Sequence, residues 1–226
     1  MTLDTYTLIF QAVAFLFAIC VHESAHAWTA NKCGDATATL LGRVTLNPIK
    51  HIDPIGTILM PALAWYSHFP LIGWAKPTPV DQRQFKHPVR DDILVSLAGP
   101  ASNLLIAIAS LAVLAVISFS SGFGHEVVRV IAAGSVPDDK SLVVPLALMA
   151  FAFLEMNIIL AAFNVIPIPP LDGSHVLRHF LPDRLRRAYD MVGMFGLILL
   201  FLVGGRILGV VAAPLFGFFG YLIGRL

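Results

Sequence analysis

Long apolar runs separated by short polar clusters set the pattern of this chain. Residues 6–30, 93–118 and 142–165 are each long enough to cross a bilayer, which takes about 20 mainly apolar residues. Residues 189–203 are shorter but strongly apolar and read as a fourth crossing. Residues 208–222 are short and glycine-rich, which leaves a further crossing or an interfacial helix open. Residues 55–69 number about 15 and contain Pro61, so they read as a re-entrant element rather than a full span. Pro70, Pro77 and Pro79 keep the following stretch out of regular helix and predict an extended or hairpin segment. The expected fold is an all-α polytopic membrane protein of five to six membrane elements. A short extended or β-hairpin re-entrant segment follows the first helix, and residues 1–226 form one domain.

Charge adds an orientation. Residues 31–92 carry seven basic side chains, Lys32, Arg43, Lys50, Lys76, Arg83, Lys86 and Arg90. Residues 175–190 add Arg178, Arg184, Arg186 and Arg187, whereas residues 119–141 hold Arg129 and Lys140 against Glu126, Asp138 and Asp139. The positive-inside rule puts the first two regions in the cytoplasm and the third outside. That parity requires residues 31–92 to leave and re-enter the same side. No basic residue precedes Lys32, so the first run reads as a retained helix rather than a signal peptide.

Composition then narrows the class. The chain is 57% hydrophobic and 13% charged with a net charge of +1, and no basic stripe interleaves with aromatics, which excludes nucleic acid as a partner. Cys20 and Cys33 have no metal-binding spacing and read as ordinary thiols.

The first helix contains His22-Glu23-Ser24-Ala25-His26. Histidines four apart lie about 40° apart around a helix and roughly 6 Å along it, so both imidazoles reach one metal. Glu23 sits on the flank of that face, placed to take a proton from water at the metal. With eight His and three Glu in 226 residues, chance predicts on the order of 0.004 such patterns. A pair of core histidines is the ordinary alternative. However, ionisable side chains in a spanning helix each cost roughly 2.5–3.5 kcal/mol to insert, and a metal offsets that cost. A hydrolytic zinc usually has three protein ligands. Asp172 is the leading candidate for the third, since Pro167, Pro169 and Pro170 stop the preceding helix on the same side and Gly173 permits a turn. His175, His51 and Asp53 are the other candidates.

These residues resemble the site-2 proteases, the M50-type zinc intramembrane metalloproteases. The resemblance rests on His22 to His26, on Ala98-Gly99-Pro100-Ala101-Ser102-Asn103, and on Asn164 to Gly173, with support from Gly42 to Pro48 and Gly73 to Pro77. It extends to about Leu181 and points to short members without PDZ or nucleotide-sensing domains. It implies one Zn2+ per chain held by His22, His26 and Asp172, with Glu23 as general base and acid. Asn164 would hold substrate backbone or the oxyanion, and a helix cap or interhelix hydrogen bond is its plainer role. The implied activity is endopeptidase cleavage of a transmembrane segment of a membrane-protein substrate. The implied place is a prokaryotic cytoplasmic membrane, with the site towards the cytoplasm. Oligomeric state is left open. A non-catalytic scaffold with structural zinc and a metal transporter are the rival classes. A transporter would more often repeat its ligands in two halves, and no second copy of the motif is present.

Some polar residues stay ambiguous. Asn103 and Asn157 either line a water path or bond between helices, and Glu155 is an intramembrane acid with no partner in view. Trp65, Tyr66 and Trp74 read as interfacial anchors. The 73–80 stretch could accept an unwound substrate by strand addition.

Overall fold

A computed structural model of the protein describes residues 3–67, 73–193 and 195–226. The described residues are helical with irregular connections, and none is in a strand. In chain order the helices are α1 (Leu3–Cys33), α2 (Thr37–Leu40), α3 (Met60–Ser67), α4 (Pro88–Ser120), α5 (Gly122–Ala132), α6 (Val143–Val165), α7 (Asp172–Phe180), α8 (Asp183–Gly193) and α9 (Gly196–Ile223).

The bundle is α1, α4 and α6 packed on one another, with α9 against α6. Small residues let these helices approach where lipid supplies no hydrophobic drive. Ala14, Ala18, Ala27 and Ala30 of α1, Ala107 of α4 and Ala147 and Ala161 of α6 are buried, while Leu105, Ile108 and Val116 of α4 face outward. The Lys86 N–H donates to the Cys33 carbonyl at 3.1 Å, so the connection between α1 and α4 starts and ends at one end of the bundle. This is the parity that the charge pattern required.

Four helices among the described residues are long and apolar enough to span: α1, α4, α6 and α9. The expected fifth and sixth elements are not among them, and the C-terminal boundaries move. Residues 189–203 straddle the junction of α8 and α9, and residues 208–222 belong to α9. Gly204, Gly205 and Arg206 dilute the apolar pattern there, but the helix runs through them with Arg206 exposed. The loop expected between the second and third spans contains α5. Its Val127, Val128 and Ile131 are buried against Leu114 and Leu154, and its N-cap Ser121 accepts from the Gly124 N–H. Cys20 and Cys33 are free and buried.

The expected re-entrant element is a π-helical turn, Pro54–Leu59, followed by α3. Phe69 and Pro70 lie outside the described residues. Residues 73–81 adopt no regular secondary structure, and no hairpin ladder forms among the described residues. The physical reason lies in their donors: Pro77 and Pro79 have none, and those of Trp74, Lys76, Thr78 and Asp81 turn to loop groups and to Glu23 of α1. The Trp74 N–H donates to the Gly56 carbonyl (3.1 Å), Lys76 N–H to the His51 carbonyl (2.8 Å) and Asp81 N–H to buried Asp35 (2.8 Å). The buried Arg43 guanidinium grips the carbonyls of Lys50, Lys76 and Pro77. We call this segment the strap.

Candidate metal centre

His22 and His26 lie one turn apart on α1, facing α4, and their Nε2 atoms are 3.0 Å apart. The proline-rich stretch after α6 ends that helix and turns the chain back, so Asp172 opens α7 directly over the histidines. Asp172 Oδ2 is 3.2 Å from His22 Nε2 and 3.4 Å from His26 Nε2. Gly173 permits this by close approach rather than by an unusual φ: a Cβ there would lie 2.1 Å from the Val165 carbonyl oxygen.

The proton positions decide what these atoms can do. His26 Nδ1 lies 2.7 Å from the Val95 carbonyl, which only accepts, so Nδ1 carries the hydrogen. Pro100 loosens this turn of α4, because it cannot donate to the Ser96 carbonyl. His22 Nδ1 lies 2.6 Å from Asn103 Oδ1 and is likewise the donor. Both Nε2 atoms therefore present lone pairs. They converge on Asp172 Oδ2, which is buried and accepts no hydrogen bond among the described residues. Three lone pairs at 3.0–3.4 Å repel one another unless a cation sits among them. A tetrahedral zinc with arms of about 2.0–2.1 Å has ligand–ligand edges of roughly 3.3–3.4 Å, so the donor set fits that ion.

Glu23 is half-buried beside the histidines, and the strap holds it. The Thr78 N–H donates to Glu23 Oε2 at 2.8 Å, and the Thr78 hydroxyl lies 2.6 Å from the same oxygen. A cavity of about 590 Å³ opens onto the four residues, walled by the strap, α4 and α6. Asn164 lines it, with its amide donating to the Leu160 carbonyl of its own helix at 3.0 Å.

The remaining candidates stand elsewhere. His51 is fully buried in the loop, where Nε2 donates to the Thr45 carbonyl and burial pushes its pKa below the ordinary value. Asp53 caps the π-helical turn through the Ile55 and Gly56 N–H groups. His175 stands at the cavity mouth, 3.9 Å from Asp92. Asn103 and Asn157 bond to each other between helices at 2.8 Å. Glu155 lines a separate cavity of about 250 Å³ with Thr7 and Gln11, near the other end of α1. The Trp74 ring packs over Gly56 and lines the metal cavity while remaining 38% exposed. Tyr66 is 82% exposed, as an anchor would be, and the Trp65 side chain lies outside what is described. The contacts of Thr78 and Arg43 were not foreseen, and no local periodicity marks either residue.

A buried two-histidine, one-carboxylate centre with a free acid beside it, set in a bundle of spanning helices, is the arrangement of a membrane metalloprotease. The match to known proteins agrees: residues 10–203 fit the model of peptidase family M50, and the chain belongs to that family. It is 35% identical to YwhC of Bacillus subtilis (strain 168) over 84% of this chain and 77% of that protein. It is 29% identical to Rip2 of Mycolicibacterium smegmatis (strain ATCC 700084 / mc(2)155), over 82% of this chain and 62% of Rip2. Both relatives carry names that mark them as inferred zinc metalloproteases. No solved structure matches the chain. The protein is a zinc metalloprotease of site-2 type and a multi-pass membrane protein.

Proposed function

We propose that this chain, as one protease domain, cleaves a peptide bond within a transmembrane segment of a membrane-protein substrate. The convergence of His22, His26 and Asp172 lone pairs, with Glu23 alongside in a cavity among spanning helices, is the observation that carries the reading. His22, His26 and Asp172 hold one zinc per chain. Bound zinc supplies Lewis-acid polarisation of the scissile carbonyl and acidifies water. The Thr78 N–H goes to Oε2 of Glu23, and the Thr78 hydroxyl lies within reach of the same oxygen and of the Glu23 carbonyl, which leaves Oε1 to take the proton of the attacking water and pass it to the leaving amine. The second amide hydrogen of Asn164 donates to the carbonyl oxygen as negative charge develops there. The arginines of α7 and α8 share this end of the bundle, which favours a cytoplasmic-facing site in a prokaryotic cell membrane.

A helix must unwind before its backbone can be attacked, and the strap offers it a place. The N–H groups of Trp74, Lys76 and Thr78 are taken by the loop and α1, whereas Ala75 lines the cavity between them, and we assign its N–H and carbonyl to the unwound substrate. Strand addition at Ala75 would replace the substrate's lost helical bonds. Proline at Ala75 removes that donor and is expected to lower cleavage about tenfold, with zinc still bound. Undiminished activity would remove strand addition from the account. Proline at Thr78 would also strip a bond from Glu23, so it is the poorer probe.

The activity itself is tested with purified protein in detergent and a membrane-spanning peptide. Cleavage should stop when a chelator removes zinc and return when zinc is restored. A peptide left whole by the zinc-loaded protein would favour a structural-zinc scaffold, and cleavage indifferent to chelation would exclude the metal mechanism.

A further inference from the structure

The hydrogen bond on His22 Nδ1 belongs to a longer chain of polar groups that crosses all three central helices. Asn157 Nδ2 donates to the Phe153 carbonyl at 2.7 Å. Asn157 Oδ1 accepts from Asn103 Nδ2 at 2.8 Å, and Asn103 Oδ1 faces His22 Nδ1 at 2.6 Å. Asn103 and Asn157 are fully buried and His22 nearly so.

A backbone carbonyl can only accept, so the Phe153 carbonyl fixes which way the Asn157 amide points. Asn157 then fixes Asn103, and Asn103 fixes the hydrogen of His22 on Nδ1. Flipping either amide would set donor against donor and acceptor against acceptor where no water can relieve the mismatch. His26 reaches the same tautomer in one step through the Val95 carbonyl. Resting on the reading of His22 as a zinc ligand, we propose that Asn103 and Asn157 are positioning residues. Their relay holds the His22 lone pair on Nε2, where the metal needs it, and couples that ligand to the register of α6.

The test is zinc affinity, measured by competition with a chromogenic chelator on the full-length protein in detergent. Ring-nitrogen NMR of the zinc-loaded, ¹⁵N-histidine-labelled protein accompanies it. Asn103→Leu leaves Nδ1 without an acceptor and is expected to weaken zinc binding roughly 10–100-fold. Asn103→Asp keeps the acceptor at His22 but loses the donor to Asn157, and Asn157→Asp still accepts from Asn103. Both should stay within about threefold of the parent affinity with Nδ1 protonated. A role confined to holding helices together predicts that Asn103→Asp falls as far as Asn103→Leu. That result, or unchanged affinity in Asn103→Leu, overturns the relay. His22→Ala is the control: parent-like affinity there would instead overturn the metal-centre reading and the relay with it.

Discussion

Glu23→Gln protein is expected to keep one zinc per chain and to lose cleavage by a factor of about 10²–10⁴, the usual contribution of a positioned base. The substitution keeps size and shape, and the glutamine carbonyl can still accept from the Thr78 N–H that now reaches Oε2. An amide cannot take up a proton at neutral pH, so the reaction loses its acceptor while His22, His26 and Asp172 stay in place. His22→Ala should lose zinc and cleavage together. Metal analysis and turnover on the same preparations separate the two outcomes. A Glu23→Gln protein that cleaves at the parent rate would move the base to another residue.

Gly99→Ala is expected to weaken zinc binding by about 100-fold or more, and activity with it. A Cβ at Gly99 would lie 2.4 Å from His26 Nε2 and 2.5–2.6 Å from Cε1 and Nε2 of His22, well inside van der Waals contact. The rings cannot easily retreat, because Asn103 and the Val95 carbonyl hold their far sides. Helix propensity works the other way, with alanine preferred over glycine by about 1 kcal/mol. The clash is present with or without metal and outweighs that gain, so the variant should melt below the parent even without metal, besides failing to hold zinc. Isothermal titration and thermal melting of the apo-protein check both halves. Parent-like affinity would mean that the imidazoles do not occupy these positions.

Gly99 also marks where sequence reading stops. The Ala-Gly-Pro group reads as a close helix approach with a kink, and the approach is real, but its partners are the two imidazoles. What α1, α4 and α6 are could be read from their length and apolarity, because a bilayer makes those two quantities decisive. The paired histidines could be read from helical spacing alone. Asp172 was reachable because the charge parity put it on the right side and the prolines stopped α6 beneath it. The contact of Thr78 with Glu23 spans 55 residues, and the grip of Arg43 on the strap about 34. Both depend on how an irregular loop returns to α1, and no periodicity encodes that path. The α5 helix was missed for a related reason. Only Val127, Val128 and Ile131 mark its buried face, too few to stand out beside the long apolar spans.

Zinc K-edge X-ray absorption on the purified protein reaches the central claim most directly, with the Asp172→Ala variant measured alongside. The predicted result is one zinc per parent chain with two imidazole nitrogens and a carboxylate oxygen at about 2.0–2.2 Å, and no sulfur. In the variant the carboxylate oxygen should disappear from that shell and zinc affinity should fall. Sulfur ligation, or a shell and affinity unchanged by removing Asp172, would contradict a centre assembled from α1 and α7.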